Sequence, residues 1–539
     1  MSNTISSIVR LGAALALLQI SCTGRIGGDE PIDEEQPGPE LGEVNAPVSG
    51  MRRLTRVEYT RTVQDLIGRD APMDVSRFPI DPLTPYDNNY REQLPSPIVA
   101  EASYANAQSI SAWVRANVEV RDRVVDCNPT GPTDEACMRH FVETFGRRAL
   151  RRPLSDDEVE RYVGLMAWNE GEGDFYAGVE LAVEAFLMQP ELLFRVEVGT
   201  PLDNGYVFQL DDFEVATRLS YLLRGTTPDD ALLDKAASGE LQDSEARRAE
   251  AERLLATPEA QAQIARFHAM WLGYEKFAAD TGIVTDMRVE SDMLVERVVG
   301  AEPPDYAQLL RSSETYVTQT LADHYGMDAD VGEGAWVSYA DAGRAGILSH
   351  GSVLAAGSKA NDTSPTRRGK FIRNQLLCQP VAPPPPEVDP DQSPTSEDPN
   401  ACKIDRYAEH RNNPSCAGCH SLMDSIGFGL ENYDLLGRYR AHDNDRPECT
   451  IDGKGTVSGI GDFQGPAELG ELVLQSGAFE ECVAQQALQY AVGHPLDTYD
   501  DGMVERMAGA LRDEKSFLEM LFAYIEDPAF AQRREESAP

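Results

Sequence analysis

Apolar residues return at helical spacing along most of the chain. In "RRLTRVEYTRTVQDLIGRD", Leu54 and Tyr59 begin an apolar stripe that Val63, Leu66 and Ile67 continue, and Gly68 stops it. Thr55 and Glu58 have the spacing of a capping box, with Leu54 and Tyr59 as its hydrophobic staple. The same grammar recurs at Ser155 with Glu158, and at Asp211 with Glu214, where Leu210 and Val215 form the staple and Gly225 the stop. In "TSPTRRGKFIRNQLLC", Ser364 is an N-cap and Pro365 a first helical residue. "QALQYAVGHPLD" reads as a helix ended at Gly493. Alternating apolar runs are few, so strands should be scarce.

The pattern breaks near 50, 118, 203, 280–330 and 380–400. These breaks predict helical modules over 51–117, 118–202 (with a disulfide) and 203–330. A proline-rich tether, "QPVAPPPPEVDPDQSPTSEDPN", occupies 381–403 and cannot be helix or central strand. A small module over 404–445 and a helical one over 446–535 complete the chain. The helical segment over 331–380, before the tether, is expected to pack on the 404–445 module. No internal repeat of solenoid period is visible.

The chain begins "MSNTISSIVRLGAALALLQISC". One positive charge and a short apolar run predict a signal peptide over 1–21, too short to span a bilayer. Small residues before Cys22 resemble a bacterial lipobox, so Cys22 is the expected lipidation site. Residues 22–50 are rich in Gly, Pro and acids, which predicts a flexible linker. Thr23 after Cys22 resembles outer-membrane sorting. The expected location is therefore exported, as a periplasmic or outer-membrane-associated lipoprotein whose membrane contact is through the lipid alone. With 48 basic and 90 acidic residues the net charge is -42, which repels phosphate backbones and speaks against nucleic-acid binding.

There are nine cysteines. Setting aside Cys22 and the close pair Cys416 and Cys419 leaves Cys127, Cys137, Cys378, Cys402, Cys449 and Cys482. An even remainder in an exported chain predicts three disulfides. Order along the chain favours Cys127–Cys137, Cys378–Cys402 and Cys449–Cys482.

The close pair lies in "NNPSCAGCHSLMD". Haem attachment needs two thiols at this spacing for two vinyl groups, and an imidazole on the next residue for the iron. Given nine cysteines and eight histidines, chance yields on the order of 0.002 such pentapeptides in this chain. A zinc site wants a second close ligand pair, and no other C-x-x-C exists. A redox dithiol usually sits in a βαβ pattern, whereas a proline-rich tether precedes this one. The residues favour one covalent haem c, bound by Cys416 and Cys419 with His420 as the proximal iron ligand. The distal ligand stays open between His350 and Met503. Arg368, near a helix start in "TSPTRRG", is a candidate for the haem propionates, with a plain surface ion pair as the equal alternative. The fold class expected overall is mainly α: several small helical modules in tandem, with a cytochrome-c-like haem-binding module near the C-terminus.

Several segments, in order, carry a wider resemblance: "RRLTRVEYTRTVQDLIG", "FGRRALRRPLSDDEVERY", "ATRLSYLLRGTTPDDALL", "RAGILSHGSVLAAGSKANDTSPTRRGKFIRNQLL", "CAGCHSLMDSIGFGLENYDLLGRYR" and "QALQYAVGHPLD". They resemble the planctomycete and myxobacterial family of secreted multi-module cytochrome-c-like proteins, over roughly residues 50–530. Ser425 stands where that family usually has proline. The resemblance implies haem binding and a mostly α fold, and supplies no reaction. Electron transfer to a redox partner the sequence does not identify is the first functional reading. A haem-dependent oxidoreductase, peroxidase- or oxygenase-like, is the second. A cell-surface polysaccharide-binding scaffold with accessory haem is the third. The sequence leaves the oligomeric state open.

Overall fold

The computed structural model describes residues 46–535, apart from 94–95, 170–172, 203–205, 278–281, 340–342, 385–397, 399 and 444–445. The expected signal peptide, Cys22 and the expected linker up to 45 lie outside the described residues. The last linker residues do not hang free. Ala46 and Val48 are buried, and Val48 bridges to Arg534 near the other end of the chain. The described fold therefore includes residues from 46 onward rather than from 51, because the backbone of Val48 pairs with that of Arg534.

Helices dominate. α1 (Arg56–Leu66) carries the Thr55–Glu58 capping box with both reciprocal bonds, and Leu54 and Tyr59 are buried beside it. α2 (Pro97–Ala116), α3 (Glu135–Leu150) and α4 (Phe175–Leu187) follow. α5 (Asp212–Leu223) has the Asp211–Glu214 box. α6 (Pro258–Trp271) and α7 (Ile283–Val299) lead to α8 (Pro365–Phe371), capped by Ser364 with Pro365 at its first turn. Beyond the tether come α9 (Lys403–Arg406), α10 (Ala408–Asn412) and α11 (Pro414–Phe428). α12 (Phe479–Val492) ends at Gly493 with φ 72°, and α13 (Asp501–Glu514) and α14 (Phe517–Glu526) close the chain. Among the described residues the sheets are small: three of two strands and one of three.

The cores do not respect the module breaks. One cluster joins residues from the first two segments, Leu54 to Leu193, and reaches Tyr221. A larger one runs from Tyr86 through Trp271, Leu376 and Ile426 to Phe530. Residues 44–539 form a single compact unit, so no module buries its apolar face alone.

All six predicted cysteines are paired, but only one pair follows sequence order. Cys127–Cys137 is present. The pairs expected as Cys378–Cys402 and Cys449–Cys482 are instead Cys378–Cys482 and Cys402–Cys449, across 104 and 47 residues. Each end of the tether is thus fastened to a different part of the body. Sequence order fails here because tertiary packing, and not chain proximity, sets which thiols meet.

Candidate cofactor site on the CxxCH helix

α11 carries "PSCAGCHSLMDSIGF". Cys416 and Cys419, three apart, share one helical face. Cys416 is half-buried, Cys419 is exposed, and both are thiols, whereas every other described cysteine is in a disulfide. A Cβ added at Gly418 between them would meet nothing within 4 Å, so the helix is open on the side where Gly418 stands.

His420 is oriented from within its own helix. Its Nδ1 lies 3.1 Å from both carboxylate oxygens of Asp424, one turn later. A carboxylate can only accept, so Nδ1 carries the proton, and in the neutral ring the lone pair is on Nε2. Asp424 is fully buried, and the Thr366 hydroxyl of α8 donates to its Oδ1 at 2.7 Å. The His420 side chain retains 21% of its exposure.

α8 lies against the same face of α11, one to two turns beyond His420, backbone to backbone. A Cβ at Gly369 would sit 1.8 Å from the carbonyl oxygen of Met423, and one at Gly427 would sit 1.8 Å from that of Pro365. Only glycine permits this crossing. It is what brings Thr366 to Asp424.

Arg368, read from sequence as a possible propionate ligand, is 2% exposed and spends its head group elsewhere. It donates to the carbonyls of Leu430, Tyr433 and Asp434 and pairs with Glu431 at 3.3 Å. Glu431 also receives Lys403 at 3.3 Å and Arg440 at 2.8 Å. The basic segment is therefore a clamp on the turn after α11, built around one buried carboxylate.

His350 belongs to a different polar cluster. It is fully buried, Ser291 Oγ is 3.0 Å from its Nδ1, and Glu290 Oε1 is 3.8 Å from its Nε2. Burial holds its pKa down at about 3, with Arg344 adding to the effect. Burial likewise pushes Glu290 up to about 7, against hydrogen bonds from Thr315 and Tyr325 that pull it down. Met503, in α13, is a core residue at 1% exposure. The structure joins neither to His420. It brings His410 there instead, from α10: ligand atoms of His410, His420 and Asp424 all lie within 4.8 Å of one another. Asp424 was legible as an H-x-x-x-D spacing, which on a helix puts both side chains on one face. His410 had no such signal, because a turn separates its helix from α11.

Five protein families match the chain in tandem. Their descriptions read Protein of unknown function (DUF1587) over residues 52–116, (DUF1595) over 137–197 and (DUF1592) over 210–327. Protein of unknown function (DUF1588) follows over 344–443 and (DUF1585) over 461–530. The chain is thus an array of five modules of unknown function. Within it the DUF1588 module runs without interruption from the Arg344 segment through α8 and the tether to α11, so the helix and the glycine crossing that supports it lie in one module. No curated protein and no solved structure matches the chain. Three disulfides fit an exported protein, and no described helix is long and apolar enough to cross a membrane.

The donor set of α11 fits a haem. Two thiols stand on one face, one exposed and one half-buried, and the next residue offers an imidazole whose other nitrogen is already engaged.

Proposed function

We propose that the chain is an exported c-type cytochrome-like protein that carries one covalent haem and passes electrons at the cell envelope. One observation carries the reading: in a chain whose other six described cysteines are all oxidised, Cys416 and Cys419 stay thiols, directly before a histidine with a committed Nδ1. Each thiol would add across a vinyl group, sulfur to one carbon and hydrogen to the other, with nothing released. His420 would bind the iron through Nε2, and Asp424 would fix that imidazole and raise its basicity. The haem supplies the one-electron couple. The cytochrome-like short name of the matched module, PSCyt3, agrees with this assignment. Lipid anchoring at Cys22 and a redox partner in the envelope belong to the same proposal.

The test is direct. The chain is expressed with a cytochrome c maturation system, denatured, and stained for haem peroxidase activity on a gel. A stained band at full length is expected, lost on replacing Cys416 and Cys419 together by Ala and kept in Cys127→Ala. An unstained wild-type band would end the haem assignment.

A further inference from the structure

A cleft where the first described residues meet α12 and α14 gathers positive charge, in a protein of net charge -42. Arg52, Arg195 and Arg218 all line it, and Glu197 is the one carboxylate among its lining residues. Arg52 and Arg195 stand directly opposite each other in the antiparallel ladder of Arg52–Arg53 with Phe194–Arg195. Like charges in that register repel. Arg52 is 7% exposed and Arg195 5%, so solvent screens the repulsion little. Their neighbours answer it unevenly. Arg218 takes Glu197 through two nitrogens and gives its third to the carbonyls of Phe530 and Gln532. Arg52 reaches Glu58 at 3.3 Å and the Ala491 carbonyl at 3.2 Å. Arg195 donates no hydrogen bond to any described residue: Glu197 Oε1 lies 3.8 Å from its Nη2, and its Nε is buried without a partner. The Tyr221 ring, 5.2 Å away, is its only other cover on the page of contacts it makes as a cation.

The charges do not balance. Three guanidinium groups meet two carboxylates, Glu197 and Glu58, which leaves one positive charge over. The acids next to this group are spent elsewhere, Asp87 on Arg266 and Asp497 on Arg534. Burial, with Arg52 beside it, lowers the Arg195 pKa to about 10, which still leaves the side chain charged at neutral pH. A buried guanidinium needs acceptors for its five donors. Tyr524 lines the same cleft, and burial pushes its hydroxyl up to about 12, so it is a further donor without charge. We propose that the cleft binds one small monovalent inorganic anion, of the size of chloride, between Arg195 and Arg52. The single surplus charge sets the valence. Space sets the size: the free volume of about 20 Å³ takes roughly one or two atoms as large as a water. Val48, Ala491 and Val492 wall the cleft with apolar groups, against which the outer oxygens of a larger oxyanion would find no donors. The ion would fasten the start of the fold and the 195–197 segment to α12 and α14, so stability would depend on chloride and not on ionic strength alone.

The experiment follows thermal unfolding of the full chain while sodium chloride replaces sodium gluconate at constant ionic strength. Gluconate matches the screening of the acidic surface and is too bulky for the cleft. The wild-type melting temperature should rise with chloride along a saturating curve. Arg195→Met, which removes the surplus charge, should lose the saturating part. Arg311→Met, at a surface pair with Glu471, should keep it. Should Arg195→Met fold poorly, wild-type crystals grown with bromide in place of chloride read the site directly, and an anomalous peak is expected between Arg52 and Arg195. A wild-type curve with no saturating part, a saturating rise that survives in Arg195→Met, or a cleft without a bromide peak would overturn the assignment. A bromide peak there without a chloride-dependent rise would mean binding at crystal concentration only, and would overturn it too.

Discussion

Two of the histidine–carboxylate pairs among the described residues, His350 with Glu290 and His420 with Asp424, have opposite surroundings. His350 and Glu290 are both fully enclosed, with Ser291, Ser352, Thr315 and Tyr325 around them. His420 and Asp424 share one turn of α11; the carboxylate is equally buried, but the imidazole faces outward beside two thiols. Residue types alone favour the first cluster, where a serine, a histidine and a glutamate are gathered as in a hydrolase. Access favours the second. A sealed set with no route for a ligand is an internal hydrogen-bond network. A set with one buried orienting group and one open donor is ready to take a ligand.

The sharpest test of this contrast is stability. His350→Ala removes a buried partner from Ser291 and leaves a cavity, and should cost about 3 kcal/mol in urea denaturation. His410→Ala, on the short α10 beside the exposed residues 411–413, should cost less than about 1 kcal/mol. Equal losses would erase the distinction. Next in size is the crossing that supports the open pair. Gly369→Ala drives a Cβ into the Met423 carbonyl and should cost about 2–3 kcal/mol. Gly418→Ala points into free space and should change stability by less than about 0.5 kcal/mol. Matching melts for the two variants would refute the backbone contact between α8 and α11.

The sealed pair also predicts a pH signature. Glu290 rises from 4.5 to about 7 on folding, so the folded state holds its proton more tightly and stability falls as pH rises through that window. His350 drops from 6.5 to about 3, so stability rises with pH through its own window and the two effects oppose each other between 4.5 and 6.5. Above 6.5 only the Glu290 effect of the two remains. Arg344 and Tyr325 also face Glu290, and neither a guanidinium nor a phenol titrates in this range. A decline in stability from pH 6.5 to 8 is expected for wild type, and Glu290→Gln should flatten it; an unchanged slope in that variant would remove Glu290 as the cause. The smallest effect belongs to the open pair. Asp424→Asn weakens the hold on Nδ1 and lowers the basicity of His420, so the reduction potential of the haem-loaded chain should rise by tens of millivolts. Spectroelectrochemistry reads it, and a lowered potential would contradict the orienting role of Asp424.

Local signals were the legible part of this fold. The capping boxes at Thr55, Ser155 and Asp211, the Ser364 cap and the Gly493 stop are fixed by neighbours a few residues away, and each forms. The CxxCH pentapeptide is local too. What the sequence hides is set at long range. Cys378 meets Cys482 because the core that joins α12 to the segment after α8 brings them together. Arg368 looks like an anion site until Glu431, 63 residues later, is seen to hold it. His350 looks like a spare ligand because nothing near it in sequence shows that Ser291 and Glu290 enclose it. His410 meets the His420 ring from only ten residues away, yet only the turn between α10 and α11 reveals the contact.

The central claim is that Cys416 and Cys419 exist to be bonded to a haem, and intact-mass spectrometry of the protein matured with haem tests it most directly. The account predicts a mass higher than the polypeptide by one haem under denaturing conditions, carried on the tryptic peptide that contains Cys416, Cys419 and His420. A bare polypeptide mass with both thiols free to alkylation would contradict it.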